Sequence, residues 1–139
     1  LLTHMAHCCK PVPSDPIVGY ITRGRGVTVH RSDCANLRAL PPEERERLID
    51  VRWAGAVPDA AYPVDIQILA VDRKGLLRDV SSVITNEDID VIGVTTHSDR
   101  DTDTASMRFT VEVHDAGQLE HIRLKIGQLP GVIEVRRGN

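Results

Sequence analysis

Val64-Asp65-Ile66-Gln67-Ile68-Leu69-Ala70-Val71-Asp72-Arg73-Lys74-Gly75-Leu76-Leu77-Arg78-Asp79-Val80 changes its apolar period part-way along. Val64, Ile66, Ile68 and Ala70 alternate, which predicts one buried face of a strand. After Gly75 the period lengthens: Leu76, Leu77, Val80, Val83 and Ile84 recur at helical spacing until Asn86-Glu87-Asp88 ends the run. The stretch therefore reads as strand, glycine turn, helix.

Downstream, Ile89 to Ser98 and Thr104 to His114 read as two strands around the polar turn 99–103, with Ala105, Met107, Phe109, Val111 and Val113 on one face. Asp115 and Gln118 have capping-box spacing, and Leu119, Ile122, Ile126 and Leu129 form a helical stripe before Pro130-Gly131. Val132 to Arg136 is the last strand. The order βαββαβ predicts a four-stranded antiparallel sheet with both helices on one face, the ferredoxin-like sandwich, leaving the other face open to a partner. Base stacking on that face, as in RNA-recognition motifs, is disfavoured because aromatics make up 3% of the chain.

Upstream lies a smaller lobe. Ile17 to Ile21 and Gly26 to His30 are strand signals around Thr22-Arg23-Gly24-Arg25, which predicts a hairpin. Ser32 or Asp33 is placed to cap a short helix through Cys34, Leu37 and Leu40, and Leu48 to Trp53 reads as a closing strand. Gly55 to Ala61 is the connector, so the expected domains are 1–57 and 62–139 in an α+β protein. The lobes differ in charge: residues 1–61 carry eight Lys/Arg against seven Asp/Glu, residues 62–139 nine against thirteen.

With 139 residues, 41% apolar, 27% charged and a net charge of -3, the composition is that of a soluble globular chain. No run is apolar enough to span a bilayer and the first residues lack the pattern of a signal peptide, so the expectation is a cytoplasmic protein without membrane contact. No Ser/His/Asp set or carboxylate pair sits in a catalytic context, so no catalysis is expected of this chain itself. Together with Leu1 in first place, this suggests a piece of a longer protein.

Three cysteines cannot make a full disulfide framework. Cys8, Cys9, His30 and Cys34 offer the thiolate and imidazole donors of a tetrahedral zinc site, the hairpin returning His30 towards the cysteine pair. Both adjacent cysteines can reach one metal only if the backbone turns there, which Lys10-Pro11 allows. The competing readings are small buried thiols, a redox pair, or replacement of His30 by His4 or His7, which would have to act from a flexible chain end. The loop 22–26 exposes Arg23 and Arg25 beside unhindered amides, suited to phosphate, although a merely basic turn fits equally. Gly75 opens a helix whose free N–H groups suit a carboxylate, against the plainer reading of a tight turn; Asn86 is a helix stop.

Cys8-Cys9-Lys10-Pro11-Val12-Pro13, Ile17 to Gly26 and His30-Arg31-Ser32-Asp33-Cys34 together resemble the conserved-cysteine, or zinc-finger, segment of the RelA/SpoT family. Asp72 to Val80 resembles the ACT domain that ends those proteins, nearer the RelA-type branch than SpoT. The resemblance implies the carboxy-terminal regulatory region of a stringent-response enzyme that makes the alarmone (p)ppGpp, and leaves open whether the whole protein also hydrolyses it. It implies docking on the stalled ribosome with uncharged tRNA, contacts to ribosomal RNA, and restraint of the catalytic half. Residue by residue it implies zinc at Cys8, Cys9, His30 and Cys34, and RNA contact by Arg23, Arg25 and Arg31. The ACT likeness implies side-by-side homodimers and an alternative role as a branched-chain amino-acid sensor, with Asp72, Arg73, Gly75, Leu76, Asn86 and Ile89 around the ligand. A cysteine redox switch is the third expectation.

Overall fold

The alternating run is strand β5, Tyr62–Val71, in a computed structural model that describes residues 2–24, 26–55, 57 and 59–138. Then come α2 (Leu76–Asn86), β6 (Asp90–Asp99), β7 (Thr104–Val113), α3 (Ala116–Gly127) and β8 (Val132–Arg137). The sheet order is β6-β7-β5-β8, antiparallel throughout, as the βαββαβ pattern predicts. Ile66 lies opposite Phe109 and Ile68 opposite Met107, so the apolar faces of β5 and β7 coincide. Leu76, Val80 and Ile84 of α2 and Leu119, Ile122 and Ile126 of α3 close over them, burying one core. Leu77, expected on the helical stripe, is 46% exposed, because a neighbour of Leu76 is turned about 100° away around the helix axis.

Gly75 precedes α2 with φ +82°, a conformation an L side chain rarely adopts, so the turn requires glycine. At α3 the capping pattern holds with a shift: Asp115 accepts from Gln118 N, while the Gln118 side chain accepts from His114 N rather than from the cap residue itself.

The first lobe holds a second sheet, ordered β1-β3-β2-β4, from β1 (Thr3–Met5), β2 (Ile17–Thr22), β3 (Gly26–Arg31) and β4 (Leu48–Ile49). The hairpin β2–β3 is as expected, pairing Ile17 with Arg31 through Thr22 with Gly26. Three features differ from the sequence reading. Thr3–Met5, expected as a flexible end, is a strand parallel to β3. A side chain at Gly26 would meet Leu2 O at 2.1 Å, so glycine there is what lets the first residues lie against β3. The strand expected over Leu48 to Trp53 pairs only at Leu48–Ile49, because Trp53 swings away to donate its indole N–H to Asp15 O at 3.0 Å and to meet Tyr62 edge-on. The short helix α1 (Ala35–Arg38) begins at Cys34, and neither Ser32 nor Asp33 caps it; the Asp33 carboxylate lies 3.3 Å from Arg31 Nε instead. Pro42–Arg47 is a 3-10 helix, pinned to β2 by the Tyr20 hydroxyl on Glu44.

No described helix is long and apolar enough to cross a membrane.

Candidate metal centre

Cys8 and Cys9 lie in a turn closed by Lys10 N donating to Ala6 O, and Lys10 takes φ +44°. That is the backbone reversal two adjacent cysteines need to face one point. His30 comes from β3, one strand over, and Cys34 from the start of α1. The four ligand atoms lie within 4.8 Å of one another.

The separations can be tested against a metal. Zinc with sulfur at about 2.3 Å and nitrogen at about 2.05 Å in a tetrahedron puts two sulfurs about 3.8 Å apart and a sulfur about 3.5 Å from the nitrogen. Cys8 Sγ is 3.6 Å from Cys34 Sγ and 3.5 Å from His30 Nδ1, and Cys9 Sγ is 3.8 Å from the same nitrogen. The donor set fits a tetrahedral ion, and the thiols are not joined as disulfides.

Electrostatics point the same way. Burial pushes the Cys9 thiol up to about 12; the Arg31 N–H, 3.3 Å from its sulfur, pulls down, while Cys34 and Cys8 add to the rise. Burial also raises Cys34, but the N–H groups of Asn36 and Leu37 with the Cys8 and Cys9 thiols outweigh it, so Cys34 ends below the usual thiol value. His30 is lowered by burial and therefore held neutral, as a metal ligand must be. A divalent cation would relieve this crowding of ionisable sulfur. The cluster can hold a metal ion; His4 and His7 are outside it.

The other predicted residues fall differently. Arg23 is exposed on the hairpin turn, Arg25 lies outside the described residues, and Arg31 is 8% exposed beside Asp33. Strand period carried that signal: Arg31 shares the buried face of β3 with Val27 and Val29. Around the Gly75 turn, Asp72 is exposed and its N–H donates to Asp103 O. Arg73 pairs with Asp79 at 2.9 Å and donates through Nε to Pro130 O. Leu76 and Ile89 are buried in the core. Asn86 sits at the far end of α2, about 16 Å from Gly75 along an 11-residue helix, so these six residues do not converge within one chain.

The RelA/SpoT RIS domain family model matches residues 1–54, and the ACT domain family model matches residues 58–137. The chain belongs to the RelA/SpoT family. Its RelA/SpoT relatives include the GTP pyrophosphokinase of Escherichia coli strain K12, 41% identical over 137 residues, covering 99% of this chain and 18% of that protein. The bifunctional (p)ppGpp synthase/hydrolase RelA of Mycobacterium tuberculosis is 42% identical over 139 residues, again covering 99% and 18%. The chain thus spans about a fifth of the length of the curated relatives it matches. In structure, the crystallographic ACT domain of GTP pyrophosphokinase from Chlorobium tepidum aligns with TM-score 0.51 and 18% identity, over 56% of this chain and 99% of that one, which shows the shared fold.

One feature of this RelA/SpoT segment has no counterpart in the sequence reading. Asp65, 4% exposed, meets Lys10 Nζ at 2.8 Å, Arg108 at 3.1 Å and Thr110 Oγ1 at 2.6 Å. In sequence it is simply the polar position of an alternating strand; its partner across the domain boundary leaves no local mark.

Proposed function

We propose that this chain is the regulatory part of a (p)ppGpp synthetase, catalytically silent by itself, with structural zinc in its first lobe and a docking role on ribosomal RNA that controls the catalytic half. The observation that carries the reading is the pair of domains, RIS then ACT, in one chain similar throughout to GTP pyrophosphokinases. RNA contact through Arg23 and Arg25 suits the chemistry of the basic lobe, since guanidinium groups can neutralise phosphates and Arg23 is exposed on the hairpin turn. The test is co-sedimentation with ribosomes carrying uncharged tRNA over a series of salt concentrations. Substituting Arg23→Ala and Arg25→Ala together is expected to weaken binding and flatten the logarithmic salt slope by about 0.7 to 0.9 for each phosphate that is no longer neutralised. Absent or salt-insensitive binding of the unsubstituted chain overturns the reading.

A second reading, branched-chain amino-acid sensing by a pair of ACT domains, is favoured by one observation. Arg73 Nη2 beside the Gly75 turn is buried with no hydrogen-bond partner, a donor that a ligand carboxylate would satisfy. Because Gly75 and Asn86 stand at opposite ends of α2, a ligand touching both requires a second copy. Titration of the labelled chain with Val, Leu and Ile is expected to shift amides of residues 72–77 and 86–89, and unchanged spectra at millimolar ligand sink the sensor.

A further inference from the structure

Lys10-Pro11-Val12-Pro13-Ser14-Asp15 belongs by sequence to the first lobe, yet it packs into the second. Val12 has no exposed surface and lies in the same cluster as Val64, Ile66, Phe109 and Ile122. Lys10 Nζ reaches Asp65 at 2.8 Å, and Lys10 O accepts from Arg137 Nη2 at 3.0 Å. Asp15 accepts from both Nη atoms of Arg137 at 2.8 and 2.9 Å, and Pro13 O accepts from Ala116 N, one of the free donors at the start of α3. The segment fills a hole in the ACT core and satisfies polar groups on three of its elements.

Its other end is fixed to the metal cluster. Cys9, 2% exposed, is the residue before Lys10, so a ligand and an ACT anchor are adjacent in the chain. Pro11, Pro13 and Pro16 lock φ at three places, so displacement at Cys9 is passed along the segment rather than absorbed in it.

We propose that residues 10–15 form a latch coupling metal occupancy at Cys8, Cys9, His30 and Cys34 to the stability of the ACT domain. The proposal rests on the metal reading above. Metal fixes the turn at Ala6–Lys10 and seats Val12; a seated Val12 holds the turn in the geometry the metal needs. Such linkage is reciprocal, each event favouring the other by the same factor.

The test uses the whole 139-residue chain. Zinc affinity is measured by competition with a chromophoric chelator, and amide hydrogen exchange of β5, β7 and α3 is followed with and without zinc. Removing zinc is expected to lower protection in the ACT sheet by about tenfold, and Val12→Ala, which touches no ligand, to weaken zinc binding by about tenfold. Val80→Ala, in the same core on α2, is the control: it lowers ACT protection and leaves zinc affinity unchanged. Should Val12→Ala not fold, Lys10→Met gives the same readout by removing the Asp65 contact. Zinc held as tightly by these latch variants as by the unsubstituted chain overturns the latch and leaves the metal site standing; a chain that holds no zinc overturns both.

Discussion

Stripping zinc from the chain with a strong chelator is expected to unfold the sheet β1-β3-β2-β4 while β5 to β8 stay folded. Among the described residues the first lobe's buried cluster is Ala6, Cys9, Cys34 and Leu37, backed by half-buried Cys8, Val18, Leu40 and Leu48. Two of the four buried members, Cys9 and Cys34, are proposed zinc ligands, so the core and the candidate metal site are one object. A buried leucine contributes about 1.5 to 3 kcal/mol, whereas each ordered residue costs about 1 to 2 kcal/mol of backbone entropy. A structural zinc site supplies on the order of 10 to 16 kcal/mol, enough to change the balance. The second lobe has no such need, since its cluster holds eighteen buried residues among those described. Trp53 is the chain's one tryptophan and its indole is tied to Asp15, so its emission reports the event. The expected result is red-shifted emission and lost strand signal; unaltered spectra after verified metal loss contradict it. Because Cys9 rests near 12 without metal, zinc uptake displaces protons and weakens as pH falls.

Asp65→Ala is expected to cost about 3 kcal/mol, at the lower end for a broken buried ion pair because Lys10 and Arg108 keep some access to water. The substitution takes an acceptor from Lys10, from Arg108 and from the Thr110 hydroxyl at once. Asp65→Asn, which keeps an acceptor for Thr110, should cost less. The pH dependence has a definite sign. Burial raises the Asp65 carboxyl, but Lys10, Thr110 and Arg108 outweigh it and hold the group below its ordinary value of 3.8. A depressed carboxylate contributes its stability fully above the unfolded value and loses it as pH falls through the folded one. Urea unfolding of the unsubstituted and Asn chains should therefore differ at neutral pH and converge in acid below 3.8. A gap that persists unchanged in acid would assign the effect to shape rather than charge.

How much of this is legible in the sequence depends on whether the signal is local. The ACT sheet is readable because Val64, Ile66, Ile68 and Ala70 declare their face by period alone, and the family motif, Asp72 to Val80, follows directly after them. The candidate metal ligands are readable by type, but their convergence rests on the positive φ of Lys10, which no lysine announces. Strand β1 leaves no trace because three residues, Thr3, His4 and Met5, carry no alternation, and its place is secured by backbone bonds and by the missing side chain of Gly26. Arg31 misleads when its charge is weighed above its register. The Lys10–Asp65 and Asp15–Arg137 contacts bridge 55 and 122 positions, beyond the reach of any window along the chain.

That last separation has a meaning in time as well as space. A ribosome making this chain releases Asp15 long before Arg137, so the segment at 10–15 must wait, solvent-exposed and unpaired, while the residues between are synthesised. The first lobe can gather its cysteines early, since Cys8 and Cys34 are only 26 residues apart, but Asp15 and the Lys10 carbonyl have no Arg137 to meet until β8 has been added to the sheet edge. Assembly therefore runs from short-range to long-range closure, and a chain interrupted before β8 would carry a gathered cysteine lobe attached to an open, aggregation-prone half-sheet.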